Sequence, residues 1–266
     1  MSASAAARAA WRYRGFVLAS VGREFASRFL GTQLGFFWAV AQPLALILIY
    51  TLVFSEIMRP ALPGHASRFA YSIYLTAGII AWSLFSEVLG RGVGIFVHNA
   101  NLLKKVSVPK ITLPLIVMLS ALLNFAIVLA LFLLFLALTG NWPGVALIGL
   151  IPVAGVLLVF AMSLGLVLAT VNVFYRDVEQ SITIVLQFWF WLTPVVYPAN
   201  ALPAAVEAIL RWNPLWPLMR AVQDIFVEGR LPVAAPLVWP AALSLVLLAL
   251  AYRVFVKLSD ELVDEL

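Results

Sequence analysis

The chain contains no cysteine, which removes disulfide frameworks, thiolate catalysis and cysteine metal sites together and leaves the redox compartment open. Charge is also scarce, with Asp, Glu, Lys and Arg making up 11% of 266 residues against 64% apolar. No water-soluble fold hides that much apolar surface, so the composition is that of an integral membrane protein. Apolar stretches of about 20 residues, the length that crosses a bilayer, recur too closely to leave room for a separate soluble domain. One membrane domain follows, over residues 1–266. No glycine precedes Lys104, Lys105, Lys110 or Lys257 in a phosphate-binding loop, which excludes a P-loop and nucleotide hydrolysis in this chain. There is no HExxH, no GxSxG elbow and no run of paired aspartates. His65 and His98 fall in loops on opposite sides of the membrane and read as solvated. Proton-driven carriers place several acids or histidines in their spans, and here only Glu87 qualifies. Energy for transport must therefore come from another polypeptide, or the chain is not an active transporter. The net charge of +5 comes from residues at loop ends and reports orientation, not nucleic-acid binding.

Residues 1–10 lack the apolar core of a cleaved signal peptide. The acid-free stretch up to Glu24 also fits a transit peptide, but the next segment argues for an interface helix over residues 8–30. On a helical wheel Trp11, Leu18, Val21, Phe25 and Phe29 gather opposite Arg12, Ser20, Arg23 and Ser27. Arg14 and Arg28 lie at the edges, where they can snorkel to phosphates from a helix in the cytoplasmic headgroup layer. Six spans follow, over 36–54, 71–96, 111–138, 145–173, 182–197 and 236–256. The first is reached through Gly31-Thr32-Gln33-Leu34-Gly35, whose glycines permit a sharp bend. Glu87 and Arg91 are four apart in the second span and share a helix face. The third and fourth carry no charge and read as walls facing lipid. The segment from His98 to Lys110 is basic and has room for a two-turn helix.

With the amino terminus inside, inner segments hold Arg8, Arg12, Arg14, Arg23, Arg28, Lys104, Lys105, Lys110, Arg176, Arg253 and Lys257. Outer segments hold Arg59, Arg68, Arg211, Arg220 and Arg230. That bias places both termini in the cytoplasm.

Five pieces in order then carry a resemblance. They are Arg28-Phe29 with Thr32, Leu34-Gly35, Trp38 and Pro43; Asn101-Leu102-Leu103-Lys104-Lys105 with Pro109 and Pro114; Asn172 to Asp177; Thr193 to Pro198; and Asn213-Pro214. From about Val17 to the tail, the chain resembles the ABC-2 type permeases that export cell-surface polysaccharides. The resemblance implies an all-α, six-span homodimer in the bacterial inner membrane, with short re-entrant gate helices over 199–230. It implies two copies of a separate ABC ATPase that carry the ATP and Mg, no cofactor in this chain, and export of polysaccharide on an undecaprenyl-diphosphate carrier. It assigns ATPase coupling to the amino-terminal helix and to Asn99, Asn101, Leu102, Lys104 and Lys105. It assigns lipid-diphosphate entrance to Arg28, Leu34 and Gly35, although Gly31 stands where a more basic stretch is usual. A drug or lipid permease, and a membrane transferase acting on lipid-linked sugars, are the rival readings.

Sugar export needs aromatic rings beside a water path, because a pyranose stacks its apolar face while its hydroxyls stay wet. Trp38, Tyr50, Trp82, Phe85, Phe188, Trp189, Phe190, Trp191 and Tyr197 are the candidates for that path, each with packing or interfacial anchoring as its plainer alternative. Four consecutive aromatics point around the whole helix, so one or two of Phe188 to Trp191 should face the passage. Arg176 and Asp177 read as an inner gate or as a plain helix-end ion pair. Lys104 and Lys105 either enforce orientation or meet acidic groups on a partner or lipid.

Overall fold

A computed structural model describes residues 8, 11–27, 35, 37–57, 67–105, 109–198 and 202–258, and among them there is no strand. Leucine-, alanine- and phenylalanine-rich segments in a bilayer must satisfy every backbone polar group within themselves, which leaves helices as the outcome. In chain order these are α1 (Arg14–Ser27), α2 (Phe37–Thr51), α3 (Ala70–Val93), α4 (Ile95–His98) and α5 (Ala100–Lys105). They continue with α6 (Thr112–Leu138), α7 (Leu150–Phe174), α8 (Asp177–Trp191), α9 (Ala204–Leu210), α10 (Leu215–Val227) and α11 (Ala235–Leu258). A π turn, Leu52–Ile57, prolongs α2, and a 3-10 turn, Gly144–Gly149, leads into α7.

Among the described residues five helices are long and apolar enough to cross a membrane: Phe37–Ser55, Ala70–Val93, Thr112–Leu138, Gly144–Phe174 and Ala235–Val254. They match five of the six expected spans within a few residues. The stretch expected at 182–197 differs. Its helix starts at Asp177, has 15 residues and stops at Trp191, about 22 Å of helix at 1.5 Å per residue. A hydrocarbon core is about 30 Å thick. The early start follows from Asp177 and Glu179, which sit in the first turn where the helix dipole favours acids. The early end follows from Pro194 and Pro198, since a proline lacks the N–H that would continue the ladder and disfavours helix in the residue before it.

Helix α3 is the axis of the bundle, with two thirds of its most apolar window covered by neighbours. Phe85 stacks on Phe160 of α7 at 5.8 Å and meets Trp189 of α8 edge-on at 5.3 Å. Near the other crossing, a Cβ on Gly92 would lie 3.3 Å from the Gly165 Cα. Two small residues thus let α3 and α7 touch backbone to backbone, the packing that substitutes for a hydrophobic drive inside lipid. This corrects the expectation for the fourth span: α7 is half covered, because absence of charge says nothing about small residues that admit a neighbour. Helices α2 and α11 lie at the periphery.

Connectivity gives the bundle two ends. The near end holds α1, α4, α5, the corner between α7 and α8, and the end of α11. The far end holds the π turn, residues 192–198, α9 and α10. Helix α10 is deeply packed, with Leu215, Leu218, Met219, Val222, Ile225 and Phe226 buried and Phe226 5.0 Å from Phe132 of α6.

Helix α1 turns inward one edge of the apolar side of its wheel together with a residue beside it. Val17 and Val21 are buried while Leu18 and Trp11 stand exposed. The stripe that meets the bundle ends in Glu24, whose carboxylate accepts a hydrogen bond from Ser120 of α6 at 3.0 Å.

Candidate functional site

Between α2, α3 and α6 lies a cavity of about 420 Å³. Trp38, Gln42 and Tyr50 line it from α2, Ser83 and Glu87 from α3, and Asn124 and Phe125 from α6. Pro43, also in its wall, is inside α2 and breaks one ladder bond there, a tolerable loss where neighbours can satisfy the freed carbonyl. Two residues expected on the substrate path, Trp38 and Tyr50, therefore share one cavity with a carboxylate and two amides.

Glu87 leads from that cavity into a network at the near end. Asn124 donates to Glu87 Oε2 at 2.9 Å, and Arg91 donates to Glu87 Oε1 at 3.3 Å. The same guanidinium reaches Glu24 Oε1 at 2.6 Å. The expected i,i+4 pair is thus present but is only the middle of a longer chain that ties α1 to α3 and α6. Glu24, Ser120 and Asn124 were not singled out from sequence. Ser120 and Asn124 are one helical turn apart in an otherwise apolar 27-residue helix, and that spacing was the available signal.

The corner between α7 and α8 is built by Asn172, which is buried. Its amide donates to the Val93 carbonyl at 3.3 Å and its oxygen accepts from the Glu179 N–H at 3.1 Å. One side chain thereby satisfies an orphan carbonyl at the end of α3 and an orphan N–H at the start of α8. His98 is exposed but not simply a solvated loop residue, since it lies on α4 and its Nε2 is 3.2 Å from Glu179 Oε1. A Cβ on Gly94 would come within 2.6 Å of that imidazole. Arg176 and Asp177 are both exposed; Arg176 is the residue preceding α8, and no ion pair joins the two among the described residues.

Among the residues expected to meet the ATPase, Asn99 caps locally by donating to the Ile95 carbonyl at 2.8 Å. Leu102 and Leu103 pack on the core while Asn101 and Lys104 point outward. The short helix α5 is therefore anchored by its leucines and presents its polar side. The Lys105 side chain lies outside the described residues, as do Arg28 and Leu34. Gly35 has φ +45, a left-handed conformation that suits glycine, and its carbonyl accepts the Trp38 N–H at 3.3 Å. It makes the turn that starts α2.

At the far end the two proline-containing motifs form one hydrogen-bonded knot. Tyr74 donates to the carbonyls of Pro194 and Tyr197 at 3.2 and 2.9 Å, and Tyr71 to that of Val196 at 2.7 Å. Gln223 of α10, buried, donates to the carbonyls of Pro194 and Val195 at 3.0 and 3.3 Å. Asn213 donates to Thr193 Oγ1 at 2.8 Å and accepts from Trp189 Nε1 and the Leu215 N–H, each at 3.0 Å. A non-helical backbone is costly away from water unless its carbonyls find donors, and here α3 and α10 supply them.

The aromatic candidates divide. Phe85 is fully buried, with Trp82 at 5.6 Å and no face left for a ligand. Trp189 and Phe190 turn inward, Phe190 meeting Trp82 at 5.4 Å. Phe188 and Trp191 are exposed at 68% and 64%. Tyr197 donates its hydroxyl to the Trp191 carbonyl at 2.7 Å. Among the described residues no cluster of three His, Asp or Glu could hold a metal.

A bundle of long apolar helices around a cavity with buried polar groups, with a short helical hairpin folded over one end, defines a multi-pass membrane permease. Residues 16–227 match the model of the ABC-2 type transporter family, and the chain belongs to that family. It is 33% identical over 261 residues to an O-antigen export system permease protein of Myxococcus xanthus, covering 97% of this chain and 98% of that one. A Klebsiella pneumoniae protein of the same description is 26% identical over 210 residues, covering 79% of each chain. A polysialic acid transport protein of Escherichia coli is 23% identical over 234 residues, covering 88% of this chain and 89% of that one.

Proposed function

We propose that the chain is the membrane subunit of an ATP-driven exporter that moves polysaccharide on an undecaprenyl-diphosphate carrier from the cytoplasm to the periplasm. Two copies pair in the inner membrane, both termini cytoplasmic, and two copies of an ABC ATPase dock at the near end. In this reading α8 and residues 192–198 together make the sixth crossing, and α9 and α10 form the outer gate.

The observation that carries the reading is the uncovered surface of α8. None of its residues is buried, although Trp189 and Phe190 are partly packed. Gln180, Thr183, Gln187 and Trp191 are all exposed at spacings of three, seven and eleven from the first, which sets them along one face. Amides and hydroxyls are costly against lipid tails, so a stripe of this kind belongs against protein or water. A second copy related by a two-fold axis would bring two such stripes together, with Trp191 and Phe188 available to stack sugar rings. Helix α2 is also almost bare, Ile47 being its buried residue, and it carries Trp38 and Tyr50 into the wall of the first cavity. At the near end the network of Glu24, Arg91 and Glu87 couples α1 to the spans, so a push on α1 by the ATPase reaches the cavity through Glu87.

The relatives named for O-antigen and polysialic acid favour a glycan over a drug or a free lipid. The test is deletion of the gene, followed by complementation. Loss of surface glycan with lipid-linked glycan accumulating inside, restored by the wild-type gene together with its ATPase, supports the reading. Unchanged surface glycan overturns it, and turnover of a lipid-linked sugar donor by the purified chain alone would favour a transferase.

A further inference from the structure

A second cavity, of about 520 Å³, opens at the far end between α10, the turn at residues 228–236 and the start of α11. Its walls carry Arg211, Trp216, Arg220, Asp224 and Trp239, a density of aromatic and charged groups unusual in a chain with 11% charged residues. None of these residues takes part in the hydrogen-bonded knot that holds α10 in place.

The charged groups keep contact with solvent, Arg220 being 65% and Asp224 39% exposed, and few of their donors and acceptors are used within the chain. Arg220 Nε lies 3.8 Å from Asp224 Oδ2, beyond hydrogen-bond distance, and no other polar contact is made by either side chain among the described residues. Partial burial raises the Asp224 carboxyl above its ordinary range, while the side chain keeps 39% exposure at the cavity wall. Arg211 spends Nε and Nη2 on Glu207 at 3.2 and 2.7 Å, which leaves its Nη1 edge available. Two indoles complete the walls, Trp216 nearly covered and Trp239 at 40% exposure. Trp239 thus contributes a partly exposed indole to the cavity wall.

A guanidinium beside a carboxylate offers donors and acceptors in one plane, which pairs with two neighbouring hydroxyls. An indole alongside offers an apolar platform for the C–H face of the same ring. A phosphate would instead have to sit beside Asp224, which repels it. We propose that this cavity is a binding subsite for a hexopyranose ring, where sugar residues of the glycan rest on the outer side after leaving the passage. The proposal rests on the polysaccharide reading above. It adds a saccharide-binding site that is separate from the path through the membrane.

The test uses the full-length protein in phosphatidylcholine nanodiscs, labelled with 5-fluorotryptophan, and follows the Trp239 resonance by fluorine NMR, assigned by its loss in Trp239→Phe. The probes are methyl glucopyranoside, methyl mannopyranoside, methyl rhamnopyranoside and glucuronate, with dihexanoyl phosphatidylglycerol as the lipid arm. A saturable shift of Trp239 by at least one sugar, weakened about tenfold or more in Arg220→Gln and in Asp224→Asn through the loss of charge-assisted hydrogen bonds, supports the site. A shift with the phospholipid alone overturns it in favour of a headgroup site. No shift with any probe also overturns it. Because binding is read without transport, a wild-type complex that exports glycan while Trp239 stays unmoved removes the subsite and leaves the export reading standing. A chain that binds sugar at Trp239 but exports none sustains the subsite and removes the export reading.

Discussion

Replacing Arg91 by leucine tests the network that ties α1 to the bundle. The guanidinium lies 2.6 Å from Glu24 and 3.3 Å from Glu87, and all three side chains are less than a third exposed. At an effective dielectric constant near 20, each such pair is worth about 4 kcal/mol of attraction before desolvation, most of which desolvation offsets. Removing only the cation leaves two carboxylates in a half-dry site without the guanidinium between them, and the cost is then the lost attraction together with the repulsion of two like charges. Losses of 3–5 kcal/mol are typical of fully buried pairs, so about 3 kcal/mol is expected here. For a chain of this size that corresponds to a fall of roughly 5–10 °C in melting midpoint, readable by size-exclusion of a fluorescent fusion heated in detergent. The control is the triple variant Arg91→Leu with Glu24→Gln and Glu87→Gln. Neutral amides remove the stranded charge, so it should recover most of the loss. A single variant as stable as wild type, or a triple variant no better than the single, would refute the reasoning.

Gly78→Ala places a Cβ 2.7 Å from the Val195 carbonyl oxygen and 2.8 Å from Gln223 Nε2, so a loss of about 1–3 kcal/mol from overpacking is expected in the same melting assay. Asn213→Ala strands Thr193, Trp189 and the Leu215 N–H together, with an expected cost of about 2–3 kcal/mol and increased proteolysis between residues 192 and 214. Gly94→Ala drives into His98 and Glu179. Both are movable side chains, so the fold should survive with a loss of less than about 1 kcal/mol, since an exposed pair contributes little. Trp191→Ala should reduce surface glycan several-fold at unchanged protein level, because its ring is exposed and meets the Phe190 ring only edge-on at 5.4 Å.

Much of this architecture was legible in the chain. Long apolar runs placed five helices to within a few residues, because length and hydropathy are local quantities in a bilayer. The Glu87–Arg91 pair was visible for the same reason, lying four apart on one helix. What lay hidden was set by contacts distant in sequence. Glu24 could not be matched to Arg91 at a separation of 67 positions, and the apolar wheel of α1 included Val21 and Leu18 although the bundle took up Val21 with Val17 and left Leu18 exposed. The uncharged fourth span read as a lipid wall, since only the meeting of Gly92 with Gly165 reveals a central helix. The aromatics from Phe188 to Trp191 announced themselves as a group, yet which pair turned inward depended on Phe85, Phe160 and Asn213, none of them adjacent. Thr193 to Pro198 and Asn213-Pro214 were recognisable as motifs, while their shared purpose, a backbone knot fed by Tyr71, Tyr74 and Gln223, appears only in three dimensions.

The stripe of Gln180, Thr183, Gln187 and Trp191 bears on the central claim most directly, and the absence of cysteine from the chain makes it simple to probe. Gln187→Cys, expressed with the ATPase in native membranes, is treated with a membrane-impermeant maleimide added from each side in turn and with a short bismaleimide. Two facing stripes around a wet passage give a cross-linked dimer and labelling by the water-soluble reagent. A position that stays monomeric and reacts only with a lipid-soluble maleimide places α8 against lipid tails and contradicts the passage.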